Sequence, residues 1–314
     1  MNSTKILSIQ ATSLIFDFIS SLSQENLHTK TLKEYMSDVK DFAYWFENVW
    51  DKHSEDTLFH PIEVTAHTIA QYQEHIQITR LLKPSTINRR MNSIKRYFEW
   101  AKQKNLVQTN YSKAIKFVPS EKNSPKRMSD KEEATLMTAV EKYGTLRDKI
   151  MIIFMLHTGL RSMEVCDIQI EDIVMKKRGG HVIVQSRKRH KQREVPLNNT
   201  VRFALEEYIT ANNISQSYVF PSSKTGKRLQ ERAIRHILQK YMRLAKLDGF
   251  SVHDLRHRFG YVMAKRTPLH RLAQIMGHDN LNTTLIYVKV IQEDLQGEVE
   301  NSRKHSKYVM YSYI

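Results

Sequence analysis

The chain has 314 residues, a net charge of +16, one cysteine and 40% hydrophobic residues. That length suits two ordinary domains with cores of their own. The lone Cys166 excludes an internal disulfide framework and fits a reducing cytoplasm, and no apolar run approaches the ~20 residues that cross a bilayer. The N-terminus lacks the long apolar segment of a secretion signal. The excess of positive charge favours a polyanionic partner, and it is unevenly spread. Residues 1–79 carry five Lys/Arg against eleven Asp/Glu, residues 80–120 carry ten against one, and residues 121–314 carry 34 against 21.

The first ~118 residues read as helices only. An amphipathic helix opens at 13–19. Apolar residues at Leu32, Tyr35, Met36, Val39, Phe42, Ala43 and Phe46 keep helical spacing over 31–50. Residues 53–60 form a polar link, and 69–72 lie in a third helix. Pro84-Ser85-Thr86 starts a fourth, running to about Lys102. Its apolar side is Ile87, Met91, Ile94, Tyr97, Phe98 and Trp100. Asn88, Arg89, Arg90, Ser93, Lys95 and Arg96 fall mostly on the other side, where such residues can meet bases and phosphates of a DNA groove. Residues 118–130 have no hydrophobic period and read as an exposed interdomain linker. The expected division is thus a helical domain over 1–118, a linker over 119–130 and a second domain over 131–314.

Ser129 and Glu132 have capping-box spacing and begin a new helix. Helices are expected at 131–142 and 146–158, with a short one at 161–166. A β-rich patch follows, with extended runs at 168–170, 173–175 and 181–184. A basic turn at 187–193 leads to a last run at 194–197, which makes a hairpin. Helices return at about 200–211, 228–242, 252–264, 269–276 and 282–299. The fold class is therefore mainly α, with a small β-sheet in the second, mixed α/β domain.

The candidate chemistry sits in this second domain. His157-Thr158-Gly159-Leu160-Arg161-Ser162-Met163-Glu164 places an arginine at a helix start. His253-Asp254-Leu255-Arg256-His257 places His253 and Arg256 on one helical face. Gly277-His278 precedes Tyr287 by nine residues after the histidine. A phosphodiester is anionic, and its pentacoordinate transition state concentrates more charge, so fixed guanidiniums suit it. A phenol can attack phosphorus and later leave. His253 and His278 can move a proton or donate to phosphate oxygens. A lysine of the basic turn, Lys188 or Lys191, can protonate a leaving 5′ oxygen. The spacing of His253 and His257 also fits a metal pair, but no further ligand set completes it, so neither metal nor cofactor is expected.

These strings resemble the tyrosine recombinases, also called the phage integrase family. The similarity is carried by H-T-G-L-R-S-M-E-V at 157–165, V-H-D-L-R-H-R-F at 252–259 and I-M-G-H-D-N-L-N-T-T-L-I-Y at 275–287, in that order. The helix at 84–98 is similar to the family's DNA-contacting helix. The resemblance implies that Arg161 and Arg256 are the catalytic arginine pair, His253 the acid/base histidine and Tyr287 the nucleophile. His278 takes a position held by His or Trp, and Glu164 buttresses the site; His257, from its place on the helix, reads as structural or as a support for Arg256. The resemblance selects Lys188 as the hairpin lysine with Lys191 as the fallback; Arg187, Arg189 and Lys191 of the basic turn are read as DNA contacts. It further implies a two-domain DNA clamp, monomeric when free and tetrameric on DNA. The DNA would be a duplex core site with inverted repeats, exchanged through a Holliday junction, in the bacterial cytoplasm at the nucleoid. Residues 292–303 would form a C-terminal exchange helix. Accessory DNA-bending or directionality proteins are compatible with this reading. The absence of an additional N-terminal domain favours the compact Xer-like recombinases and mobile-element integrases or resolvases. The alternatives are a type IB topoisomerase-like relaxing enzyme and a catalytically silent DNA-binding protein.

Phosphate contacts dominate such binding, so affinity for duplex DNA is expected to fall steeply as salt rises from roughly 50 to 200 mM, with a log–log slope of about −0.9 per neutralised phosphate. Fluorescence anisotropy of a labelled duplex measures the slope, and a salt-insensitive complex would contradict the basic-surface reading.

Overall fold

The computed structural model describes residues 6–25, 27–50, 58–120, 126–185, 192–212 and 217–292. Arg187, Lys188, Arg189, Lys191 and the proposed exchange segment after Gln292 lie outside the described residues. The chain divides into two compact units, Met1–Lys122 and Asn123–Ile314.

The first unit is helical. α1 (Ile9–Ser23) starts at Ser8, whose hydroxyl accepts from the Ala11 N–H, and it buries Ala11, Ile15, Phe18 and Leu22 along one stripe. α2 (Thr29–Trp45) runs into a π turn at Phe46–Trp50. α3 (Ala66–Glu74) is held at its start by a reciprocal Thr65–Thr68 capping box. α4 (Pro84–Gln103) has proline in its first turn, where no backbone N–H is needed. The core these helices enclose is largely aromatic, with Phe42 packed edge-on against Tyr72 and Phe98, and Phe18 against Tyr97.

A polar seam crosses that core. Asp38 and Asp41 of α2 are buried. Asp38 accepts from Ser93 Oγ at 2.7 Å and pairs with Arg89. Asp41 accepts from Tyr72 Oη at 2.8 Å and Arg80 Nη1 at 2.6 Å, and pairs with Arg90. Two buried carboxylates are thus compensated by cations from α4 and from the turn before it.

The second unit is mixed. α5 (Asp130–Tyr143) carries the expected Ser129–Glu132 capping box, and α6 (Leu146–Thr158) ends at Gly159 in the left-handed region, with φ 62°. α7 (Ser162–Asp167) leads to a three-stranded antiparallel sheet of β1 (Ile173–Lys176), β2 (Gly179–Gln185) and β3 (Gln192–Pro196), in that order. Val182 pairs with Val195, and both point into the core with Val184. Next come α8 (Asn199–Ala211), α9 (Glu231–Leu244), α10 (Val252–Ala264), α11 (Leu269–Met276) and α12 (Asn282–Gln292). Among the described residues no helix is long and apolar enough to cross a membrane.

Three expectations need correction. Residues 168–170 are not a strand. Asp172 accepts from the Gln169 N–H at 2.8 Å and folds Ile170–Asp172 into a 3-10 turn, while Gln169 bridges only to Tyr218. α9 begins at Glu231 rather than 228, because Arg228 is held extended by a bridge to Pro221. Met128, inside the stretch read as exposed linker, is fully buried in the core of the second unit. Its carbonyl accepts from Arg258, and Lys126 donates to the Asp248 carbonyl.

Removal of one partner from a buried ion network leaves the others uncompensated. Asp41→Ala, which strips Tyr72, Arg80 and Arg90 of their acceptor, is expected to destabilise the helical unit by about 3 kcal/mol. Urea denaturation followed by tryptophan fluorescence reads this directly, and a loss below about 1 kcal/mol would show that the seam does not hold the fold.

Candidate active site

α10 positions most of the site. Its first turn is fixed by Ser251, whose N–H and hydroxyl both donate to Asp254 Oδ2 at 2.7 Å. His253, Arg256, His257 and Gly260 then follow at offsets of three, four and seven and share a face. Arg256 is 3% exposed and donates to the Gly159 carbonyl at 2.5 Å and the Met276 carbonyl at 2.7 Å. It therefore joins the end of α6 to the end of α11.

Arg161 stands at the N-cap of α7. Its N–H donates to Glu164 Oε2 at 2.8 Å, and its guanidinium donates to Glu164 Oε1 at 3.0 Å and the Gly277 carbonyl at 2.8 Å. Its side chain is 44% exposed, so it faces outward while held from behind. Arg161, His253 and Arg256 line one cavity of about 350 Å³, together with Ser162, Glu231 and Arg235.

Tyr287 lies beside these groups and is 1% exposed. Its phenol oxygen is 3.0 Å from His257 Nδ1. The ring stacks near His278 and packs edge-on against Tyr261, with centroids 6.4 Å and 5.1 Å away. Gly260 admits it, because a Cβ there would come within 2.5 Å of the phenol ring. His278 Nδ1 is 2.7 Å from the hydroxyl of the buried Thr284. The His253 and His257 rings meet edge-on at 4.5 Å, which links the cavity to the phenol.

Burial pushes the Tyr287 phenol up to about 12, although Arg256 and Arg161 pull the other way. Burial, then neighbouring positive charge, takes His278 down to about 4. Burial and then the charge of His253 take His257 down to about 4, and His253 is lowered by burial and by Arg256. Burial followed by the charge of Arg161 brings Arg256 down to about 10, so it stays protonated at neutral pH. Burial alone would raise Glu164, but its hydrogen bonds and charge contacts with Arg193, and then Arg161, hold it below the ordinary carboxylate range.

The sequence-predicted residues Arg161, Glu164, His253, Arg256, His257, His278 and Tyr287 all come together in this unit. His257, read from the sequence as structural or as a support for Arg256, meets the nucleophile candidate Tyr287. Arg193 escaped the sequence reading. On β3 it forks onto both oxygens of Glu164 at 2.9 and 2.8 Å, yet its only sequence signal was membership of a basic turn. Among the described residues no group of three or more His, Cys, Asp or Glu is gathered as metal ligands would be.

The α4 residues differ from the open polar face expected of them. Ser93 is buried on Asp38, and the Arg90 side chain is only 15% exposed beside Asp41. Asn88 both donates to and accepts from the backbone of Val118, and Lys95 donates to the Ile115 carbonyl. The acid pair on α2 draws Ser93 and Arg90 inward, while the backbone at Ile115 and Val118 takes up Lys95 and Asn88. Arg89 and Arg96 keep side-chain exposures of 43% and 38% while paired with Asp38 and Glu25.

Residues 126–293 match the phage integrase family, and residues 14–108 match the N-terminal SAM-like domain of phage integrases. Among similar proteins, a tyrosine recombinase of Agathobacter rectalis is 26% identical over 86% of this chain and 89% of its own length. The TnP I resolvase of Bacillus thuringiensis is 26% identical over 90% and 97%. Two solved structures share the fold. The XerH recombinase in a post-cleavage complex with a palindromic difH substrate has a TM-score of 0.72 at 18% identity, covering 93% of this chain and 90% of that one. A lambda integrase (75–356) dimer bound to a COC′ core site has a TM-score of 0.70 at 16% identity, covering 87% and 96%. The chain belongs to the phage integrase family, the site-specific tyrosine recombinases that break and rejoin DNA strands through a phosphotyrosine.

The lowered histidines make stability depend on pH. A histidine at about 4 in the folded protein and about 6.5 when unfolded contributes stability that is complete above the unfolded value. As pH falls from about 6.5 toward 4 the unfolded chain takes up protons first, so the folded state loses ground. With solvent screening allowed for, His257 and His278 together are expected to cost roughly 2 kcal/mol at pH 5 relative to pH 7. Urea midpoints at the two pH values measure this, and a His257→Gln/His278→Gln chain with an undiminished pH slope would contradict it.

Proposed function

We propose that this recombinase cleaves DNA with Tyr287, and that Arg161 and Arg256 bind the non-bridging oxygens of the scissile phosphate. The observation that carries this reading is the convergence of Arg161, His253 and Arg256 on one cavity, with Tyr287 next to it through His257. The phenolic oxygen forms a bond to phosphorus and the bond to the 5′ oxygen breaks. The resulting 3′-phosphotyrosine keeps the bond energy for religation, so no nucleotide cofactor enters.

In the resting protein the phenol is buried, with its pKa pushed up to about 12, and faces His257. Attack needs the ring to turn toward the cavity, where His253 can take the phenolic proton and the arginines can offset the developing charge. His278, ring-stacked with Tyr287 and neutral at pH 7, donates a hydrogen bond to a phosphate oxygen. Lys188, with Lys191 as the fallback, protonates the leaving 5′ oxygen. Arg89 and Arg96 of α4 are the groups of that helix with most solvent access for phosphate contact.

The DNA is a duplex core site with inverted repeats, engaged in the bacterial cytoplasm. Four protomers exchange strands through a Holliday junction to integrate, excise or resolve DNA. Support for this comes from relatives that include a resolvase and from solved structures of a dimer on a core site and a tetramer on a Holliday junction.

A nicked suicide duplex tests the chemistry, because loss of the short downstream strand traps the covalent adduct. Wild type is expected to give an adduct that survives denaturing electrophoresis, Tyr287→Phe none, and Arg256→Ala a rate lowered by about 10²–10³. An adduct of unchanged yield with Tyr287→Phe would remove this residue from the chemistry.

A further inference from the structure

The end of α11 gathers three guanidiniums, and the scheme above uses two. A helix leaves its last carbonyls without helical partners, and its C-terminus is electronegative. Here Gly277 adopts φ 66°, so its own N–H and that of His278 return to Gln274 and Ala273. The next three carbonyls each take an arginine. Ile275 accepts from Arg193 Nε at 2.9 Å, Met276 from Arg256 Nη2 at 2.7 Å and Gly277 from Arg161 Nη2 at 2.8 Å.

Arg193 differs from the other two. Its side chain is 13% exposed, and all three of its nitrogens are engaged, Nε on Ile275 and both Nη on Glu164. It is absent from the cavity wall. Glu164, also 13% exposed, is the carboxylate that grips Arg161. Arg193 pairs with Val184 across the sheet, so it also ties β3 to the helix end. Gly277 has no room for a side chain there, because a Cβ would lie 2.8 Å from the Arg193 guanidinium.

We propose that Arg193 is a positioning residue for strand cleavage: by clamping Glu164 and the α11 terminus at once, it sets where Arg161 meets the scissile phosphate. Without it Glu164 keeps only its bonds to Arg161 itself, and the end of α11 is no longer tied to the sheet. Both anchors of Arg161 then loosen although neither has been changed. Arg256, held also by Gly159, loosens less. The effect falls on the chemical step, since the Arg193 side chain is little exposed and does not line the cavity. This inference rests on the assignment of Arg161 and Tyr287 made above.

The test compares wild type with Arg193→Gln, Glu164→Gln and the double variant on the nicked suicide duplex. Adduct rates are taken at saturating DNA, and affinity is measured separately by anisotropy. Arg193→Gln is expected to slow adduct formation about 10–100-fold, the range for groups that orient active-site ligands, with DNA affinity changed by less than about threefold. The double variant is expected to match the slower single variant within about threefold, since both act through one linkage. Arg193→Lys keeps the charge but cannot span Glu164 and Ile275, and it is expected to be slow as well.

A normal adduct rate in folded Arg193→Gln overturns the inference. So does a loss confined to affinity, or losses that multiply in the double variant. Should Arg193→Gln not fold, Arg193→Lys carries the same comparison. If neither folds, Arg193 serves stability alone and the inference fails. A wild-type chain without adduct, or an adduct that survives Tyr287→Phe, would instead refute the assignment of the nucleophile.

Discussion

Guanidinium groups repel one another, and this site holds three of them around one helix end. Two unit charges 4 Å apart at an effective dielectric of 20 interact by about 4 kcal/mol. The lowering of Arg256 to about 10, by burial and then by Arg161, records the cost. The opposing charge comes from Glu164 and from the carbonyls of residues 275–277. One carboxylate cannot neutralise three cations, so the free site keeps a positive excess. A phosphodiester supplies one negative charge, and its pentacoordinate form concentrates it further. With Arg161 and Arg256 in the roles proposed for them, the balance left open in the free protein is the one the transition state fills.

The same economy of space governs the phenol. Tyr287 is packed where Gly260 leaves room for its ring, beside Tyr261 and two histidines kept neutral by burial. Burial makes the phenol a poorer acid, as its rise to about 12 shows. On the proposed assignment of Tyr287 as nucleophile, the phenol is therefore weakly reactive as it lies, and attack requires the ring to turn toward the cavity. An unreactive resting state suits a protein whose chemistry breaks DNA, since a phenol poised in the free chain would meet any phosphate that entered the cavity.

The motif strings made much of this site legible in the sequence. His253, Arg256 and His257 lie within five residues, and helical spacing alone puts them on one face. Arg161 and Glu164 are three apart, so their pairing was readable too. Arg193 was not, because its partners stand 29 and 82 residues away and no local pattern joins them. The contact of His257 with the phenol was not legible either, because Tyr287 is 30 residues downstream on another helix. Ser93 and Arg90 failed in the opposite sense. Periodicity set them on a polar face, but the acids that draw them inward sit on α2, some fifty residues earlier. The short strand expected at 168–170 looked extended by composition, and only the Asp172 side chain, which closes a turn, decided otherwise.

A common device recurs in the two units. In the second, Glu164 holds Arg161 and Arg193. In the first, Asp38 and Asp41 hold Arg80, Arg89 and Arg90. In each, acids with little solvent access grip arginines that stay partly exposed, such as Arg89 and Arg161. A free arginine at a surface has about 2 kcal/mol of rotamer entropy to lose on meeting a phosphate. A guanidinium already fixed from behind by a carboxylate has lost much of it on folding, and its remaining N–H groups keep a set direction. The acids weaken the net positive charge a little, yet they turn a mobile cation into a fixed one. For a protein that must hold a phosphorus centre within fractions of an ångström of its nucleophile, direction outweighs total charge.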